Sequence, residues 1–196
     1  MFQGMTKMVK ALFYANIFAF ILTLIFQGPI IQNLACYNYR YPEFHWYQPF
    51  TSMFLHGGIM HIMFNMFALC SIGTYVESYL GSRRFLLYYL ICGLCGAFLF
   101  MFMSTANVPS IGASGAIYGI VLMFALLFPE EKLFFFFIPI GIKAKYLISV
   151  LFLIEVVMGF TAGPSDNVAH FAHVGGGLAG LALMGIDRFL PKSKFI

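Results

Sequence analysis

Six apolar stretches, each close to the length of a membrane-spanning helix, follow one another along the chain and leave few places for a charge. They fall at roughly 9–27, 57–76, 85–104, 113–128, 146–162 and 168–187. A helix that crosses a bilayer needs about 20 mostly apolar residues, so each stretch is predicted to cross once. Of the 196 residues, 61% are apolar and 9% charged, and the mean hydropathy is +0.89. A soluble domain carries about 45–50% apolar and about 25% charged residues. The predicted fold class is therefore all-α, a polytopic membrane protein of six transmembrane helices forming one domain over 1–196. The first run has basic flanks, but it is long and no A-x-A-like site follows it, so it is expected to remain a span.

The basic residues support the count of six. Lys7, Lys10, Arg83, Arg84, Lys132, Lys143, Lys145, Arg188, Lys192 and Lys194 fall on one side of a six-span chain, and Arg40 alone on the other. Five or seven spans would split them. The bias predicts both termini in the cytoplasm of a cell (inner) membrane protein. The aromatic loop 28–55, the 104–112 loop and the 162–168 loop then face outward. Four cysteines give no disulfide framework. Cys70, Cys92 and Cys95 lie within apolar spans and Cys36 in a loop. The Cys92-x-x-Cys95 pair is flanked by Leu, Ile and Gly, a packing environment rather than a redox one.

Strongly polar residues inside spans are expensive and need a reason. Ser114, in IGASGAIYGI (111–120), opens a span of only 113–128, after Pro109 has ended any helix from upstream. Such a short span leaves its outer end below the membrane surface, where irregular backbone is tolerated beside a wet cavity. His61 and Asn65 are four apart on the second span, hence on one face. His170 and His173 are three apart at the start of the sixth. Gly176, Gly177 and Gly180 follow His173, and Gly112, Gly115 and Gly119 surround Ser114, small residues that let two helices approach closely. The depths coincide, so Ser114 can act as nucleophile and His173 as its base. His61, Asn65 and the Ser114 N–H can act as oxyanion donors. Asp166 is expected to be solvated, which predicts a Ser–His dyad and no triad. Glu155, mid-span with no obvious basic partner, reads as a neutral acid or a structural group ahead of a gate. His45 and His56 read as structural. The same residues leave other readings open: bland helix contacts, axial haem ligation by His61 and His173, or a solute path.

At these positions the sequence resembles the rhomboid intramembrane serine proteases. The matching pieces are HGGIMHIMFN (56–65), GTYVESYLG (73–81), GASGAIYG (112–119) and AHVGGGLAG (172–180), in the family's order and on the expected spans. The resemblance implies a rhomboid-like fold and an intramembrane serine endopeptidase with no cofactor and no metal. Ser114 matches the nucleophile, His173 the general base, and His61 and Asn65 the oxyanion donors. Gly112 matches the glycine before the serine, Tyr118 a tyrosine packed on the catalytic imidazole, and Glu77 a structural glutamate at the cytoplasmic end. The implied partners are the lipid bilayer and membrane-protein substrates with helix-destabilised transmembrane segments, admitted between the second and fifth spans beside Phe64; no nucleic acid is implied. Many members carry Trp-Arg in the first outer loop, where the arginine ties the loop together. Here the stretch is Trp46-Tyr47-Gln48, so the resemblance does not supply that loop's bonding.

Overall fold

The computed structural model describes residues 4–104, 108–134, 140–163, 166 and 168–187. Every predicted span is helical there. Helix α1 is Lys7–Ile25, followed by the short α2, Gln27–Leu34, and α3, Gln48–Thr51. The second span begins as α4, Ile59–Ala68, passes through a π-helical turn at Leu69–Gly73 and finishes as α5, Thr74–Leu80. It outlasts its predicted end because nothing in Thr74–Leu80 breaks a helix. Gly81 stops it, at φ +78°, a conformation that glycine adopts without penalty. Then come α6, Ser82–Met103, α7, Ser114–Leu127, α8, Ala144–Thr161, and α9, His170–Asp187. Lys7–Ile25, Ile59–Leu80, Ser82–Met103 and Ala144–Thr161 are each long and apolar enough to cross a membrane; α7 is a shorter apolar helix. A two-residue antiparallel pair, Lys132–Leu133 with Ile142–Lys143, is the one strand pairing among the described residues. Pro139, Arg188, Lys192 and Lys194 lie outside them.

The centre of the bundle is α6, α7 and α9, whose buried side chains include Phe85, Tyr89, Ile120 and Met123. These helices meet backbone to backbone. A Cβ on Gly96 of α6 would lie 2.5 Å from the Ala172 carbonyl oxygen of α9, and one on Gly176 of α9 would run into the Gly115 carbonyl of α7. Cys92 is buried against Gly119, so its thiol fills a helix contact, and all four cysteines are free thiols. Helix α8 sits outside this core, against α9 and α7. Of its side chains Ala144 and Ile148 are buried, while Leu153, Val157 and Phe160 are exposed. So are Phe18, Leu24 and Ile25 of α1. Apolar surface on this scale belongs in lipid, not water, and the molecule is a multi-pass membrane protein.

One end of the bundle carries the lysine and arginine ion pairs. Arg84 pairs with Asp187 at 3.3 Å, joining the start of α6 to the end of α9. Glu130 holds Lys143 and Lys145 at 2.7 and 2.5 Å, and those two lysines keep its carboxyl well below the usual range, at about 2. Glu77 is buried at the end of α5, where it accepts hydrogen bonds from the Met8 and Val9 N–H groups, Thr6 Oγ1 and Ser82 Oγ. Arg40 is at the opposite end, beside Tyr39, which packs on Phe102 near the end of α6.

At that opposite end, the segment read as a loop contains α2, α3 and a 3-10 turn at Ser52–Phe54. Gln48 ties it together. Fully buried, it accepts from the His45 N–H at 3.0 Å and the Tyr37 N–H at 3.5 Å, and donates to the carbonyls of Glu43 at 2.8 Å and Asn33 at 3.2 Å. A neutral amide thus bonds the loop that the family resemblance left unbonded. The loop in turn grips the approach to α7. Cys36 and Ser110 exchange backbone hydrogen bonds at 2.9 and 2.8 Å, and the Gly112 N–H donates to the Ser52 carbonyl at 2.9 Å.

Candidate active site

Ser114 is the first residue of α7. This helix has 14 residues, about 21 Å at 1.5 Å per residue, against a hydrocarbon core of about 30 Å. Its far end is anchored near the ionic end of the bundle, where Phe128 packs on Tyr79. Ser114 lines a cavity of about 980 Å³. His61, Phe64 and Asn65 of α4, Tyr118 of α7, His173 of α9 and the 108–111 segment line it.

His173 Nε2 lies 2.8 Å from Ser114 Oγ. The approach is possible because α7 and α9 touch through glycines, as the spacing of Gly115, Gly119, Gly176 and Gly180 predicted. Tyr118, one turn after Ser114, stacks on the His173 ring with centroids 4.4 Å apart and planes 14° apart.

Gly112 has φ +128°. A Cβ there would lie 2.8 Å from His61 Nε2 and 3.5 Å from Ser114 Oγ, so the glycine keeps a gap between imidazole and hydroxyl. Nδ1 of His61 accepts the Gly57 N–H at 3.4 Å. A neutral imidazole that accepts at one nitrogen donates at the other, so Nε2–H of His61 points toward that gap. Asn65 donates one amide hydrogen to the His61 carbonyl at 2.9 Å and keeps a second donor. Ser114, His173, His61, Asn65 and Tyr118, all singled out in the sequence, thus line one cavity, and Gly112 lies beside His61 and Ser114. The haem reading fits poorly, because His173 Nε2 is engaged with Ser114 Oγ at 2.8 Å, a contact that axial ligation of an iron would break.

One expectation is corrected. Glu155 of α8 does have basic partners, and they come from α9. Its Oε2 lies 2.8 Å from His173 Nδ1 and 2.6 Å from His170 Nδ1, and Oε1 accepts the Tyr118 hydroxyl at 2.6 Å. The absence of a carboxylate beside His173 was inferred from Asp166 alone; the carboxylate comes instead from a different helix. Asp166, a quarter exposed, keeps contact with solvent while it accepts the Val168 N–H at 2.8 Å and reaches His170 Nε2 at 3.2 Å. Those two contacts hold its carboxyl below the ordinary value. The signal for Glu155 was present: an ionisable residue inside a span, close in depth to a histidine pair, is a functional candidate by default. Glu155, His170 and His173 are also the one group among the described residues whose ligand atoms, within 4.8 Å of one another, could hold a metal ion. The same atoms form the hydrogen bonds just described.

The Rhomboid domain family profile matches residues 43–188. The chain is similar to the rhomboid protease GluP of Bacillus subtilis (strain 168), 37% identical over 145 residues, 73% of this chain and 27% of that protein. It is similar to RHOMBOID-like protein 2 of Arabidopsis thaliana, 36% identical over 133 residues, 68% of this chain and 39% of the relative. Inactive RHOMBOID-like protein 8 of the same plant is 29% identical over 145 residues, 74% of this chain and 39% of the relative. The chain spans less than half the length of each of these relatives.

Proposed function

The chain belongs to the rhomboid family, and we propose that it is an intramembrane serine endopeptidase working through Ser114 and His173. The family supports peptidase chemistry in the bilayer. It includes a relative named inactive, so the proposal rests on this chain's own residues. The observation that carries it is the 2.8 Å contact between His173 Nε2 and Ser114 Oγ in a cavity faced by hydrogen-bond donors.

In the proposed reaction Ser114 Oγ attacks a peptide carbonyl while its proton passes to His173 Nε2. The tetrahedral oxyanion is held by His61 Nε2–H, by the Asn65 amide and by the Ser114 N–H. The last sits at a helix N-terminus, where backbone N–H groups lack intrahelical partners and the dipole favours negative charge. His173 returns the proton to the leaving amine, and water then hydrolyses the acyl-enzyme. A substrate helix hides its peptide groups in its own hydrogen bonds. Membrane-protein substrates with helix-breaking or small residues near the scissile bond are therefore favoured. Access between α4 and α8, past the half-exposed Phe64, fits the weak burial of α8. The ionic end faces the cytoplasm in this reading, with the cavity at the outer leaflet of a cell membrane.

Labelling of the detergent-purified protein with a fluorophosphonate tests it. The wild type is expected to label, and Ser114→Ala and His173→Ala to lose the label. Label persisting in Ser114→Ala removes the nucleophile assignment.

A further inference from the structure

We propose that Glu155 is a positioning residue for His173, making the proton-transfer unit three-membered, Ser114–His173–Glu155. This deepens, and rests on, the Ser114–His173 reading above.

The argument begins with proton accounting. His173 has both ring nitrogens engaged, Nε2 with Ser114 Oγ and Nδ1 with Glu155 Oε2, each at 2.8 Å. An ionised carboxylate only accepts, so the Nδ1 contact requires Nδ1–H on the imidazole. A neutral ring protonated at Nδ1 presents its lone pair at Nε2, where the Ser114 proton must go. Glu155 therefore selects the one neutral tautomer in which His173 can act as base, and its charge steadies the imidazolium formed in the transition state. The proton itself stays on Nδ1. It moves only between Ser114 Oγ, His173 Nε2 and the leaving amine, so no proton reaches Glu155 at any step.

A buried charge needs compensation, and the surroundings supply it. Glu155 is 13% and His170 9% exposed at the side chain. Glu155 Oε1 accepts the Tyr118 hydroxyl, and Oε2 accepts from both imidazoles. His170 faces Glu155 at Nδ1 and Asp166 at Nε2. It donates to both carboxylates only as an imidazolium, and that positive charge sits against Glu155 on the side away from Ser114. Tyr118 holds His173 twice, by stacking on the ring and by fixing the carboxylate that fixes the ring. The ring plane and the tautomer are thus set from α7, α8 and α9 together.

The alternative is that Glu155 only ties the weakly buried α8 to α9. That role predicts lower thermal stability with an unchanged rate per folded molecule. The test measures the fluorophosphonate labelling rate constant, and kcat and KM on a transmembrane-segment peptide, for wild type, Glu155→Asp and Glu155→Gln, with the folded fraction fixed by thermal denaturation. Glutamine keeps the volume and the Tyr118 contact but can donate to Nδ1 and stabilise the wrong tautomer. The expected result for Glu155→Gln is a fall of about 10²–10⁴ in kcat and labelling rate, with KM little changed, and partial recovery in Glu155→Asp. Labelling of folded Glu155→Gln at the wild-type rate overturns the inference while leaving Ser114 and His173 as the reactive pair. A wild type that does not label Ser114 overturns the underlying reading instead. Nitrogen NMR of histidine-labelled wild type needs no variant to fold. His173 protonated at Nδ1 supports the inference, and His173 protonated at Nε2 overturns it.

Discussion

Gly180 of α9 sits directly on Gly119 of α7: a Cβ on Gly180 would lie 2.5 Å from the Gly119 carbonyl oxygen and 2.8 Å from its Cα. The obstacle is backbone, which cannot rotate aside. One more atom there must push apart the two helices that carry Ser114 and His173, and overpacking of this kind costs about 1–3 kcal/mol. Gly180→Ala is expected to lower the melting temperature in detergent and to reduce activity out of proportion. Gly185→Ala on the same helix, where an added Cβ meets nothing within 4 Å, is expected to melt no lower than wild type, since alanine favours a helix more than glycine. Equal effects of the two substitutions would show that the α7–α9 contact does not govern the site.

The oxyanion assignment gives a second prediction. His61 presents Nε2–H toward the gap above Gly112 because its Nδ1 is occupied by the Gly57 N–H. Removing one such donor typically costs about 10²–10³ in turnover. His61→Ala is expected to lower kcat by that order with KM nearly constant, and Asn65→Ala to have a smaller effect because one of its amide hydrogens already serves the His61 carbonyl. Single-turnover acylation with an ester substrate measures both. A His61→Ala acylation rate within a few-fold of wild type removes His61 from the oxyanion site.

The sequence carried the spans and the meeting of Ser114 with His173 for the same reason. Both depend on features local to a helix: the length of an apolar run, and glycines spaced so that one face is bare. Ser114 and His173 were legible because Gly115, Gly119, Gly176 and Gly180 state that two backbones touch. Glu155 stood out as an ionisable residue inside a span, but its partners could not be read, because His170, His173 and Tyr118 come from two other helices. Gln48 was hidden differently. Its partners are backbone groups of Asn33, Tyr37, Glu43 and His45, which every sequence possesses, so no residue type announces them.

Glu77 offers a third prediction, at the ionic end. The first N–H groups of a helix have no intrahelical acceptor, and at α1 those of Met8 and Val9 are taken by Glu77 at 2.9 and 2.7 Å. The carboxylate also suits the positive end of the α1 dipole. Glu77→Ala leaves the buried Val9 donor and the part-buried Met8 donor unpaired and is expected to cost about 2–6 kcal/mol, given about 1–3 kcal/mol for each group so stranded. Glu77→Gln, which still accepts, falls between. Thermal denaturation in detergent measures this order, and protease accessibility of residues 4–10 reports whether α1 undocks. An unaltered melting temperature in Glu77→Ala would remove the carboxylate as the anchor of α1.

His56 sets a dependence on pH that no carboxylate imitates. It lies ahead of α4, 1% exposed, its ring 5.0 Å from that of His61. Burial, reinforced by His61, pushes the imidazole down to about 4 from 6.5. The unfolded chain therefore takes up a proton at His56 before the folded one does, and stability falls as pH drops from about 6.5 toward 4. At about 1.4 kcal/mol per pKa unit the loss is at most about 3.5 kcal/mol. Carboxyls held low, such as Asp166 and Glu130, add their own loss only at and below their ordinary range near pH 4, so the two windows separate. Melting temperatures of wild type and His56→Phe from pH 7.5 to 4.5 are expected to diverge, the variant declining less steeply. Parallel curves would mean that His56 binds its proton equally well in both states, and that burial against His61 is not what holds it neutral.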